Sequence, residues 1–201
     1  MENINNQDTE KNIQNKTKFK KFLKEGWDLL KFAVIALLIV IPIRMFIAQP
    51  FVVSGESMFP TFHDGEYLIV DELSYNLGRP SRGDVVVFHY PGDPKRFFIK
   101  RIIGLPNEKI SINNGTVNIF NLENPNGFTL TEPYINESFN TTEIYQTGEK
   151  EYFVMGDNRN RSSDSRSWGL LSSKLMVGRA YLRLLPIKEI DYLPGYYKEI
   201  K

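Results

Sequence analysis

The 201 residues include no cysteine. A disulfide framework, a cysteine-ligated metal and a thiol nucleophile are thereby excluded. Histidine is nearly absent too. His63 and His89 are the only two, which rules out a three-histidine zinc site. Neither sign of charge dominates: 25 Lys plus Arg face 24 Asp plus Glu, for a formal net charge of +1. That balance leaves no uniformly basic face for nucleic acid. No internal repeat occurs. The uninterrupted apolar run Phe32–Ile43 has 12 residues, roughly 18 Å of helix against a bilayer core of about 30 Å. What the chain does have is 11 prolines and 14 glycines spread along its length, a pattern of many turns rather than a helical bundle. Serine, lysine and carboxylates remain as carriers of chemistry.

Residues 1–15 are polar and without apolar periodicity, so a disordered start is expected. Five cations follow with no acid among them: Lys16, Lys18, Lys20, Lys21 and Lys24. The flanks of the apolar run extend it. Lys31 and Arg44 can snorkel to opposite interfaces, and residues 28–48 make 21 residues, about 31 Å of helix. Trp27 suits a headgroup level, and Pro50 stops a helix beyond the far side. A cleavable signal peptide is the alternative, but no small-x-small pair follows the run. The expected organisation is therefore a cytoplasmic segment 1–27, one transmembrane helix 28–48 and an extracytoplasmic domain 49–201.

Beyond Pro50 the pattern turns to short β-like runs, including 51–53, 67–70, 84–89, 97–103, 109–112, 116–120, 152–155 and 180–185. Turn residues such as Asn113-Asn114-Gly115 separate them. The fold class is mainly β, with residues 113–150, rich in Asn, Thr, Gly and Glu, as a peripheral insertion of hairpins and loops.

Ser57 stands in FVVSGESMFPTF, after an apolar strand and a glycine-containing turn, where a serine oxygen can be exposed beside backbone N–H groups. A nucleophilic serine needs a base. His63 and His89 could each complete a triad but read as surface or strand residues. In KRFFIKRIIG, strand alternation sets Phe98, Lys100 and Ile102 on one face. An amine between apolar neighbours in a buried groove loses solvation and is pushed toward its neutral form, which can take a serine proton. An exposed, charged strand lysine fits the same pattern. A third segment crowds Asp157, Arg159, Arg161, Asp164 and Arg166 into ten residues, either a solvated loop or a buttress for the strands.

SGESMFPT, RGDVVVFHYP, FFIKRIIGLP and GDNRNRSSDSR, in this order, resemble the four boxes of the type I signal peptidases. These are membrane-bound serine endopeptidases that remove signal peptides from exported proteins. The resemblance runs from the apolar segment to about Pro186. It implies a β-sheet catalytic domain on one N-terminal transmembrane helix, with Ser57 as nucleophile and Lys100 as general base. Ser162 falls where the family hydrogen-bonds the lysine, and Asp157, Asp164 and Arg166 fall at structural positions near the site. Phe51, Val53, Met58, Phe98 and Ile99 are expected to line shallow apolar subsites that demand small residues before the cut. The implied partners are preprotein signal peptides and membrane lipid, without nucleic acid, metal or organic cofactor, and a monomer is the expected state. Lysine at position 100 resembles the bacterial branch, and a single anchor resembles the Gram-positive form. Three residues depart from the family pattern: Asn107 and Arg161 replace a usual glycine and asparagine, and Gly55 stands where some members carry an oxyanion-hole serine. An inert membrane-anchored β module is the rival reading, separable by its failure to label with a serine-directed acylating inhibitor. A self-cleaving repressor is opposed by the lack of an Ala-Gly target site and of a DNA-binding domain.

Overall fold

A computed structural model describes residues 24–41 and 48–197. The chain divides into two units between Met45 and Phe46. In the first, residues 24–41 form helix α1, whose apolar side chains, Phe32 and Leu38 among them, are exposed. Lys24, Glu25, Asp28 and Lys31 give its first two turns a polar character, and Lys31 pairs with Asp28 at 3.2 Å. Among the described residues no helix is long and apolar enough to cross a membrane. Of the expected span 28–48, residues 28–41 are helical and 42–47 lie outside the described residues. Ala48 is not helical but opens the first strand. The cations at positions 16–21 also lie outside the described residues.

The second unit is mainly β. Its elements are β1 (Ala48–Val52), β2 (Tyr67–Asp71), α2 (Leu73–Leu77), β3 (Val85–Tyr90), β4 (Asp93–Gly104), β5 (Lys109–Asn113), β6 (Thr116–Phe120), β7 (Phe128–Thr129), β8 (Glu143–Gln146), β9 (Glu151–Met155), α3 (Ser165–Trp168), β10 (Leu171–Ser172), β11 (Met176–Leu185) and β12 (Asp191–Tyr192). One antiparallel sheet runs β1-β2-β11-β3-β4-β9-β10, with β12 on β11. The second sheet runs β7-β6-β5-β8, so the expected insertion is a sheet of its own that already begins at Lys109.

Strand β4 links both sheets to the core. Its first half is exposed, whereas Lys100 to Gly104 is buried on both faces. Alternation divides its side chains. Phe98 and Ile102 pack with Val86, Phe88, Val154 and Leu171. Ile103 joins Ile110, Ile119, Phe153 and Met155 against the second sheet. Ile99 leans on a third cluster, Val53, Met58, Phe62, Leu68, Val85 and Ala180, beneath the turn that follows β1. Removing any one of the larger buried side chains would cost about 2–5 kcal/mol. Lys100 is therefore carried on the buried half of β4, and Ser57 on a turn with an apolar cluster beneath it.

Candidate active site

Ser57 lies in a turn anchored from below and from the side. Met58 and Phe62 on either side of Phe59 are fully buried, and Phe62 N–H donates to Met58 O at 3.0 Å. Gly55 N–H donates to Asp64 Oδ1 at 2.7 Å. The backbone at Gly55 has φ +88°, a conformation that strains any residue with a side chain. The serine hydroxyl that some family members place there would come with that strain. Across the turn, Asn158 N–H donates to Ser57 O at 3.1 Å, and Asn158 Nδ2 donates to Glu56 O at 3.1 Å.

Lys100 comes from β4, opposite Val86 of β3. Only 4% of it is exposed. Its Nζ donates to Ser57 Oγ at 2.8 Å and to Ile99 O at 2.8 Å, and sits 5.1 Å from the Phe98 ring centre. Burial lowers its pKa from 10.5 to about 8, and the carboxylates of Asp164 and Asp157 oppose that shift. Each carboxylate is held by an arginine. Asp157 accepts from Arg101 Nε at 2.8 Å and Nη2 at 2.5 Å, and from Thr61 Oγ1. Asp164 accepts from Arg166 Nε and Nη2, both at 2.8 Å, and from Gly156 N–H at 3.0 Å. Arg166 also donates to Arg159 O at 2.7 Å. Asp157 and Asp164, with the arginines that hold them, thus form a buttress behind Lys100, whereas Arg161 stays exposed to solvent.

Two expectations need correction. The Ser162–Lys100 hydrogen bond is not made: Ser57 and the Ile99 carbonyl take the lysine's bonds, and Ser162 Oγ is buried without a partner. It packs instead on Gly156, where a Cβ would meet Ser162 Oγ at 2.2 Å and Ser57 O at 2.4 Å. Only glycine allows that approach. Met58 does not line the groove beside Ser57, because its side chain points into the core cluster under the turn. The other four expected residues, Phe51, Val53, Phe98 and Ile99, do line this groove of about 550 Å³.

The histidines stand elsewhere. His63 Nδ1 shares a hydrogen bond with Glu66 Oε1 at 3.2 Å, and His89 Nδ1 lies 2.6 Å from Pro94 O. His63, Glu66 and Glu189 bring possible ligand atoms within 4.8 Å of one another. A cation is already there, since Arg183 Nη1 lies 2.8 Å from Glu66 Oε1 and 3.5 Å from Glu189 Oε2. Arg101 is the residue that motif reading missed. It is fully buried, with Tyr134 3.9 Å and Tyr197 5.4 Å from its guanidinium, and it donates to Gly83 O and Gly195 O. Its one local signal is a charge at a position whose neighbours, Ile99 and Ile103, alternate inward.

A family profile described as "Signal peptidase, peptidase S26" matches residues 26–185. A probable signal peptidase I-1 from Synechocystis is 37% identical over 185 residues, 88% of this chain and 89% of that protein. A signal peptidase I from Bacillus licheniformis is 37% identical over 174 residues, 80% of this chain and 89% of that protein. A solved signal peptidase I from Enterococcus faecalis is 31% identical, covers 50% of this chain and 96% of its own, and has a TM-score of 0.44. With a match of this extent and a serine and a buried lysine in contact, the chain belongs to the signal peptidase (peptidase S26) family and is a serine peptidase of the signal peptidase I kind.

Proposed function

We propose that the chain cleaves signal peptides from exported preproteins with a Ser57–Lys100 dyad, cutting after small residues at the outer face of the cell membrane. The observation that carries the reading is the 2.8 Å contact between Lys100 Nζ and Ser57 Oγ in a buried setting. With the amine neutral, the same contact runs in the other direction, and the serine hydroxyl donates to the lysine lone pair. Ser57 Oγ then bonds to the scissile carbonyl carbon as its proton passes to Lys100 Nζ. The C–N bond breaks, and the lysine ammonium gives that proton to the departing amine. Water next attacks the acyl-serine, surrendering a proton to Lys100, which returns it to Ser57 Oγ as the ester opens. Negative charge on the carbonyl oxygen is met by the backbone N–H of Ser57, since Gly55 brings no hydroxyl. Asp157, Asp164 and Arg166 act as positioning residues behind the lysine.

The groove supports the substrate class. Phe51 meets Phe97 at one end, with ring centres 5.1 Å apart, and Ser57 meets Lys100 at the other. From Phe97 to Lys100 is three strand steps, about 10 Å, room for three extended substrate residues before the cut. Val53 and Ile99 fill the space between, which favours small side chains at the first and third of those positions. Val52 and Phe97 on its wall are exposed, and Phe59 and Tyr67 are exposed in the flanking turn and strand, apolar surface suited to a lipid interface. In this reading the segment before Ala48, from position 28 on, anchors the chain, 1–27 remain inside with their lysines, and the strands from Ala48 onward act outside. The test is incubation of the detergent-solubilised chain with a preprotein carrying Ala-x-Ala, beside Ser57→Ala, with the cut mapped by mass spectrometry. Cleavage after the second alanine by the parent alone is the expected result. Equal cleavage by Ser57→Ala, or a cut elsewhere, overturns the reading.

A further inference from the structure

Arg161 is one of the departures from the family pattern, and it lines the far end of the groove together with Glu56 and Ser163. Its position relative to the nucleophile is well defined. Asn158 is tied to Ser57 O and Glu56 O, and Arg161 N–H closes a turn back onto Asn158 O at 3.1 Å. The Arg161 guanidinium then reaches across to Glu56, Nη1 to Oε2, at 2.9 Å. Both side chains are mostly exposed, 73% and 63%. Such a pair is weak and exchanges easily with a competing carboxylate.

The groove has a direction. Its Phe51–Phe97 end is mainly apolar, with Arg96 beside it, and its Ser57–Lys100 end is polar, with Arg161 tied to it through Glu56 and Asn158. If the apolar end takes the residues before the cut, as the proposed function requires, the chain leaving Ser57 passes Arg161. Among the described residues Glu56 is the only acid on the groove wall, and at the Ser57 end it is set against Lys100 and Arg161. The local field therefore favours an anion.

We infer that Arg161 forms an anion-accepting subsite for the first or second residue after the cut, releasing Glu56 to bind an aspartate or glutamate side chain of the mature protein. This specificity rests on the peptidase reading for its direction, but a guanidinium–carboxylate contact can be measured without cleavage. The probes are two fluorescent peptides bearing Ala-x-Ala followed by Asp-Asp or by Asn-Asn, titrated by anisotropy against full-length Ser57→Ala in detergent. The Asp peptide is expected to bind about fivefold tighter at low salt, with the gap closing at high salt. Arg161→Gln in the same background should erase the gap, and Arg161→Lys should restore part of it. Indistinguishable or undetectable binding of the two peptides, or a gap that survives Arg161→Gln, overturns the inference. Cleavage of the Asn peptide by the parent chain judges the peptidase reading separately. An Arg161-dependent gap without cleavage would leave the subsite standing and that reading refuted, and cleavage without a gap would do the reverse.

Discussion

At the scale of single residues, the proposed dyad makes Lys100 the group that sets how the site responds to pH. Its pKa stands at about 8 because burial outweighs the attraction of Asp164 and Asp157. Only the neutral amine can accept the serine proton, so kcat/KM should rise with pH, reach half its maximum near 8 and level off above. Each unit below that midpoint should lower the rate about tenfold. Lys100→Arg keeps a cation that is never deprotonated and should be inactive at every pH, while His63→Ala and His89→Ala should keep the parent profile. An active Lys100→Arg, or a profile that moves with either histidine, would refute the dyad. The same shift has a consequence for stability. The folded pKa lies below the unfolded value of 10.5, so between about 8 and 10.5 the unfolded chain binds more protons and stability rises with pH. Below 8 the penalty is fully present. Lys100→Met should then raise Tm at pH 7 by about 5 °C, a gain that vanishes above pH 10.5. An unchanged Tm at pH 7 would mean that the amine is better solvated than its burial indicates.

At the scale of elements, β4 carries the lysine on one face and Arg101 on the other, and the second face holds the strand in place. Arg101 and Asp157 are both fully withdrawn from water, with 2.5 Å between Nη2 and Oδ2. Asp157→Ala would leave a buried guanidinium without its anion, a loss of about 3–5 kcal/mol. Chemical denaturation of the whole chain should show a lowered midpoint, and activity should fall with it. A midpoint within experimental scatter of the parent would mean that Gly83 O, Gly195 O and the tyrosine rings suffice to hold Arg101. How much of this was legible varies with distance along the chain. Alternation in KRFFIKRIIG marks a strand and sets Phe98, Lys100 and Ile102 together because strand geometry is local. Asn114 and Gly115, both at positive φ, close the β5–β6 hairpin where the turn signal lies. The partners of Arg101 come from Asp157 and Gly195, 56 and 94 residues away, and no local rule brings them to one point. Met58 misled for a related reason. The family resemblance places it in the groove, but the turn directs the methionine side chain downward into Val53, Phe62 and Leu68.

At the scale of the whole molecule, three apolar clusters and both sheets belong to the part of the chain after Met45, which meets the usual requirements of an independently folding domain. The Ser57–Lys100 contact is made by residues of that part. In the proposed reading the exposed apolar side chains of α1, Phe32, Ile35, Leu38 and Ile39, are buried in lipid. Its proposed contribution to function is concentration: enzyme and membrane-embedded substrate share a thin layer, and the encounter becomes nearly two-dimensional. Removing residues 1–45 should therefore leave kcat/KM toward a short soluble Ala-x-Ala peptide within about twofold of the parent, since the packed site is untouched. Toward a preprotein inserted in lipid vesicles, the same truncation should lower the rate about a hundredfold. The two substrates must be compared at matched detergent or lipid content, because Val52, Phe59 and Phe97 also present apolar surface. An equal loss on both substrates would show that the N-terminal unit supports the catalytic fold. No loss on either would show that the exposed apolar rim alone brings the domain to the membrane, and the anchor would have no part in catalysis.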